Sequence, residues 1–216
     1  MRVLASFAGI ALCAACGQST IPPTVTTPSP SVAATLDPAR VERVRADLPA
    51  GFEFSALPDR PAPIALWGFG PAWTADPLPC GGLADPAGDA AVRGWSASGA
   101  GGIVYAVVAD ASVALDRSLA DSCDTWSVSA GHTSGVATTV AAPAIDGAAT
   151  LGMIAEATTT VEGGIETHPH AETFTAYLGD HVAYVTVVTD PGAASPSLGP
   201  GLASELLVKT VAAIRG

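Results

Sequence analysis

Residues 173–189 read TFTAYLGDHVAYVTVVT, and this stretch decides the fold class. Thr173 to Leu178 and His181 to Thr189 are rich in β-branched and aromatic residues. Gly179-Asp180 between them is a two-residue turn suited to type II′, so the stretch predicts an antiparallel hairpin. A second hairpin is predicted upstream, where Val92–Ser98 and Ile103–Ala109 flank Gly99-Ala100-Gly101-Gly102. Thr125–Ala130 and Val136–Ala141 read as another pair, Gly152–Val161 as a further strand, and Gly51–Leu57 as a short strand with Phe52 and Phe54 on one face. Strands joined by tight turns belong to an antiparallel sheet, because parallel neighbours need long crossovers.

Three helices are predicted around these strands. Asp37 is a good N-cap, Pro38 fits the first helical position, and Leu36 is placed to staple against Val41. Val41, Val44 and Leu48 then form an apolar stripe, and Pro49 ends the helix. A middle helix capped by Asp110 or Ser112 carries Val113, Leu115 and Leu119 and delivers Cys123. After a Gly/Pro/Ser loop at 191–200, a last helix from Leu202 to Ile214 shows one face of Leu206, Leu207, Val211 and Ile214. The expected fold is therefore α+β: an antiparallel β-sheet of about six or seven strands packed with an N-terminal, a middle and a C-terminal helix, in a single domain over residues 37–216.

Pro58–Gly88 is unlike the rest, being dense in Pro and Gly and holding Trp67, Phe69 and Trp73. A stretch of this length without periodicity is either functional or a packed irregular loop. With Trp95 these aromatics are the candidate ligand-binding residues: they would line a hydrophobic cleft for a lipid or wall fragment, or else plug the core under the loop.

Upstream of the domain the chain reads as an address. Arg2 and the ten apolar residues Val3–Leu12 suit a secretory signal and are too short to span a bilayer, which takes ~20 residues. Ala14-Ala15 place small residues before Cys16, a pattern that resembles a bacterial lipobox with Cys13 where Leu is usual. Residues 1–15 are expected to be removed and Cys16 acylated, which anchors the protein to the outer face of the plasma membrane. An ordinary secretory cleavage is the alternative. Residues 16–36 then form a stalk, uncharged over 17–35 and rich in Pro, Thr and Ser.

With Cys13 lost and Cys16 acylated, two of the four cysteines remain, Cys80 and Cys123. Outside the cytoplasm such a pair most often forms a disulfide, the alternative being two separately buried thiols. A formal charge of −11 with a single lysine, Lys209, excludes a phosphate-neutralising face, so neither nucleic acid nor a polybasic membrane contact is expected. The Ala-, Gly- and Pro-heavy usage matches a high-GC, actinobacterial genome.

Three stretches carry a resemblance: Val44-Arg-Ala-Asp-Leu-Pro-Ala-Gly-Phe-Glu53, Cys80-Gly-Gly-Leu-Ala-Asp-Pro86, and Arg93-Gly-Trp-Ser-Ala-Ser98 leading into Tyr105. They resemble mycobacterial lipoproteins that carry a small domain of unknown function. More remotely, the helix ending in Cys123, the Trp126 strand, the final hairpin and the last helix are similar to the extracellular PknH-type kinase sensor domain. That resemblance implies an antiparallel sheet flanked by helices with a cleft for an unidentified ligand. It departs in cysteine count, since the sensor domain holds two disulfides and this chain can make one.

No catalytic motif stands out. His168-Pro169-His170 places two imidazoles on one face of an extended segment, with Glu166 and Glu172 at the same parity, yet zinc sites need three or four ligands, so no metal is expected. Asp124, His132 and Ser134 are close in sequence, but Gly131-His-Thr-Ser-Gly135 lacks the GxSxG elbow and reads as a hairpin turn. The expectation is a non-enzymatic, cofactor-free, lipid-anchored domain that binds an apolar or amphiphilic envelope ligand in a sensor-like manner. Docking on another envelope protein is the alternative, and an envelope hydrolase comes third.

Overall fold

The computed structural model describes residues 35–189, 198–199 and 201–216. The leader, Cys16, the stalk up to residue 34 and most of the 191–200 loop lie outside the described residues. Ala34–Gly216 forms one compact unit.

Its centre is one antiparallel sheet. The strands are β1 (Glu53–Ser55), β2 (Thr74–Asp76), β3 (Val92–Gly99), β4 (Gly102–Ala109), β5 (Thr125–Ala130), β6 (Thr133–Val140), β7 (Ala149–Thr160), β8 (Glu166–Thr167), β9 (His170–Tyr177) and β10 (Val182–Thr189). They pair in the order β1-β3-β4-β10-β9-β7-β6-β5-β2, with β8 added to β7. The α+β class read from sequence is the observed one. Among the described residues the strand count is ten rather than six or seven. Eight of the strands match stretches read as strands from sequence, and the two that do not are the three- and two-residue pieces β2 and β8.

The hairpin at 173–189 forms as its sequence dictates. Tyr177 pairs with Val182, the Leu178 N–H donates to the His181 carbonyl at 2.9 Å, and Gly179 takes φ +90° at the first turn position. At the β3–β4 and β5–β6 turns the two-residue loops are Ala100-Gly101 and Gly131-His132. Each loop carries a positive-φ glycine.

Both faces of the sheet are covered, which is why Val182–Val187 are buried without a break. On one face lie the 3-10 helix Pro38–Asp47 and the C-terminal helix, with Val41, Val44, Leu206, Leu207, Val211 and Ile214 packed on Trp95, Val104 and Val185. Asp37 caps the first of these helices by accepting from Ala39 N–H. The indole N–H of Trp95 donates to the Val41 carbonyl at 3.0 Å, tying strand to helix. On the other face lies the irregular segment 61–84, which contains α1 (Pro63–Leu66) and the 3-10 helix Leu78–Leu83.

The middle helix is shorter than expected. It is α2, Arg117–Ser122, and α3 is the C-terminal helix Leu202–Arg215. Asp116, not Asp110 or Ser112, caps α2 by accepting from Leu119 N–H at 3.0 Å. Residues 111–116 form neither helix nor strand, with Val113 N–H turned back to the Ala111 carbonyl at 3.0 Å, and Val113 lies on the surface.

Candidate functional site

The irregular segment turns back on itself before it enters β3, and a cavity of about 130 Å³ opens where it does so. The stretch 59–63 forms one wall and the turn 85–92 the other. Pro61, Ala62, Pro63, Ala87, Ala90 and Val92 make the sides apolar. Asp59, Arg60, Asp85 and Asp89 make the rim charged, with Arg60 and Asp89 joined in an exposed ion pair. Of the two other rim carboxylates, Asp85 is held in place locally, since its Oδ1 accepts from Gly88 N–H at 3.2 Å.

The floor is Tyr184, from the middle of β10. This residue is 1% exposed, and its hydroxyl takes part in no hydrogen bond among the described residues. Burial pushes its pKa well up, and the Asp85 carboxylate adds to the effect, so the phenol stays neutral and keeps both a proton to donate and lone pairs to accept with. Its neighbours across the strands repeat the theme: Thr175 lies directly opposite on β9 and holds a buried Oγ1 with no partner. Asp59 and Val92 also border a second, shallower depression of about 470 Å³ lined by Arg93 and Glu42.

The four aromatics singled out from sequence do not meet in one cleft. Trp67 and Phe69 are buried in the core beneath the irregular segment. Trp67 donates its indole N–H to Thr173 Oγ1 at 2.9 Å, and Thr173 in turn shares a hydrogen bond with Thr186 at 2.8 Å. Trp95 is fully buried on the opposite face of the sheet. Trp73 is half-buried with its ring against Gly81, where an added Cβ would come within 2.5 Å. The physical reason is that segment 61–84 covers that half of the sheet, so its large side chains fill the core beneath it rather than line a cleft.

Cys80 and Cys123 are joined in a disulfide with Cα atoms 5.7 Å apart. The bond fastens the 3-10 helix Leu78–Leu83 to the end of α2, and so secures the covering layer to the sheet beside Trp126.

The histidines take separate partners. His170 Nδ1 lies 2.6 Å from Glu156 Oε1 and its Nε2 3.6 Å from Glu172, while His168 Nδ1 is 3.2 Å from Thr158 Oγ1 and its Nε2 3.8 Å from Glu166. Among the described residues no three His, Cys, Asp or Glu side chains converge as metal ligands. His132 sits in the β5–β6 turn with Ser134 just beyond it, whereas Asp124 lies at the far end of the same hairpin, its carbonyl accepting from Thr139 N–H. A whole strand, roughly 20 Å at the usual rise, separates acid from base, so these three form no triad. Among the described residues no helix is long and apolar enough to cross a membrane.

Sequence reasoning singled out the segment but not the residues that matter in it. Asp59, Arg60, Asp85 and Asp89 look like loop charges, and Tyr184 looks like any inward residue of a buried strand. The available signal was the length of the 58–88 segment, which borders the cavity at both of its ends.

Together these features define a disulfide-braced α+β domain, a helix-flanked antiparallel sheet with a small cavity under an irregular segment. The chain belongs to the family described as a domain of unknown function, DUF5642, which matches residues 37–215. Among solved structures it is similar to an uncharacterised Mycobacterium smegmatis protein, an Rv0999 ortholog, at 22% identity and a TM-score of 0.60, over 84% of this chain and 98% of that one. It is also similar to the extracellular domain of PknH from Mycobacterium tuberculosis, at 15% identity and a TM-score of 0.45, over 84% of this chain and 93% of that one. No curated protein matches the chain.

Proposed function

We propose that this domain is a non-enzymatic recognition module of the cell envelope that binds part of a small amphiphilic ligand in the Tyr184 cavity. It is held at the outer face of the plasma membrane by an acyl group on Cys16. The observation that carries the binding reading is Tyr184, a residue 1% exposed whose hydroxyl makes no hydrogen bond among the described residues, at the floor of a cavity with a charged rim. A concave site where polar groups converge beside apolar side chains is a usual form of a ligand site. Binding rather than catalysis fits the groups at hand: a neutral phenol, two carboxylates and an ion pair, with no nucleophile beside a base. The Cys80–Cys123 disulfide supports an oxidising, extracytoplasmic location, and the Cys16 pattern supports the anchor.

Native mass spectrometry of Gly17–Gly216, exported from an actinobacterial host, tests the binding reading. A retained adduct of lipid or wall-fragment mass, lost in a Tyr184→Phe/Asp85→Asn double variant, is the expected result. Bare wild-type protein, or an adduct indifferent to the double substitution, overturns it. For the anchor, Cys16→Ser is expected to move the protein from the membrane fraction to the medium; unchanged membrane retention overturns that part.

A further inference from the structure

We propose that the group this cavity accepts is cationic: an alkylammonium end whose nitrogen lies between the Asp85 carboxylate and the Tyr184 hydroxyl, with its methylene stem along the proline and alanine walls. The proposal rests on the ligand-binding reading above and deepens it. It starts from the charge at the rim. Asp59, Asp85 and Asp89 face one cationic side chain, Arg60, and Arg60 is already engaged by Asp89. Asp59 and Asp85 form no ion pair among the described residues, at the mouth of a cavity that belongs to a chain of net charge −11. An anionic ligand would meet that field head-on, and a cation is drawn in by it.

The floor adds a second, independent constraint. Tyr184, 1% exposed, offers a neutral hydroxyl that makes no hydrogen bond among the described residues and lies in the field of the Asp85 carboxylate. An ammonium carries three donors and no acceptor, so a carboxylate oxygen and a phenol oxygen are complementary to it. A neutral hydroxyl could satisfy Tyr184 but would leave the two carboxylates uncompensated. Size agrees, because about 130 Å³ holds a group of a few heavy atoms and not a ring system with substituents. The apolar sides then explain why the cation would be alkyl-borne. Pro61, Pro63 and Ala87 have no donors or acceptors in their side chains and suit methylenes, which gain ~0.8 kcal/mol each on burial.

Isothermal titration of the Gly17–Gly216 chain with three probes of equal length, hexylammonium, hexanol and hexanoate, tests the assignment. Hexylammonium is expected to bind saturably, hexanol more weakly and hexanoate not at all, with affinity falling as salt is raised. Asp85→Asn, which keeps the oxygen that holds Gly88, is expected to weaken hexylammonium roughly tenfold, as loss of one charge-assisted hydrogen bond implies. Tyr184→Phe is expected to weaken it without changing the salt dependence. If hexanol binds as well as hexylammonium, the cavity reading stands and the cationic assignment falls; if none of the three binds, both fall. Flotation with vesicles whose lipids end in an amino group, against vesicles without it, then shows whether the ammonium is presented by a membrane or arrives free.

Discussion

Trp67 and Thr173 are 106 residues apart in the chain, and the indole N–H of one donates to the hydroxyl of the other at 2.9 Å inside the core. That bond explains how a segment without periodicity becomes a structural layer. Trp67 anchors it to β9, Thr173 passes the hydrogen bond on to Thr186 of β10, and both threonines are fully buried.

Thr173→Val keeps the shape and removes the acceptor. The Trp67 N–H and the Thr186 hydroxyl are then left unpaired, at a cost of about 1–3 kcal/mol for a buried unsatisfied group. Urea denaturation is expected to show a lower midpoint with an unchanged slope; an unchanged midpoint would mean that the bond does not fasten the layer.

The disulfide acts on the same layer from the other side. It closes a loop with a sequence separation of 43, for which the chain-entropy model gives about 4 kcal/mol. A Cys80→Ser/Cys123→Ser variant is expected to lose stability of that order, and to expose the backbone of 61–84 to hydrogen exchange before the half of the sheet that carries α3. Uniform exchange across both halves would contradict this order.

Gly94 is a position where backbone and space together forbid a side chain. Its φ is +151°, and a Cβ there would sit 2.0 Å from the carbonyl oxygen of Ala106 on the paired strand. Gly94→Ala is expected to destabilise by about 3 kcal/mol, from strain and overpacking combined, with a matching fall in melting temperature. A variant as stable as the parent would show that β3 and β4 do not approach this closely.

Alkali tests the buried phenols. Burial pushes Tyr177 up to about 12 and also raises Tyr184, while an unfolded chain releases the same protons near pH 10. Above about pH 10 the unfolded state therefore binds fewer protons than the folded one, so stability is full below that pH and declines as pH rises towards the folded values. Each phenol contributes a slope of ~1.4 kcal/mol per pH unit within that window. Denaturation followed from about pH 8 upward, with tyrosinate absorbance alongside, is expected to show unfolding and ionisation arriving together. Full ionisation of all three tyrosines with the fold intact would contradict the burial of Tyr177 and Tyr184.

The sheet was legible where turn chemistry and alternation coincide. Gly179-Asp180 marks a hairpin because only a few residues accept those backbone angles, whereas the turn read as Gly131–Gly135 proves shorter, since β6 already starts at Thr133. β2 and β8 were not legible, since Thr74–Asp76 buries only Ala75 and Glu166–Thr167 is exposed throughout. The middle helix was placed too early because Asp110 and Ser112 are as good caps by type as Asp116; which of them serves depends on where Cys123 must arrive to meet Cys80. The cavity was the least legible part. Asp59, Asp85 and Tyr184 come from three distant places in the chain, and only the pairing of β10 with β4 and the return of the 58–88 segment bring them together.

The most direct measurement is an amide chemical-shift map of the Gly17–Gly216 chain titrated with an extract of actinobacterial envelope. The account predicts saturable shifts concentrated at 59–63, 85–92 and Tyr184, and their loss in Tyr184→Phe/Asp85→Asn. Shifts clustered elsewhere on the domain, with these residues silent, would contradict it.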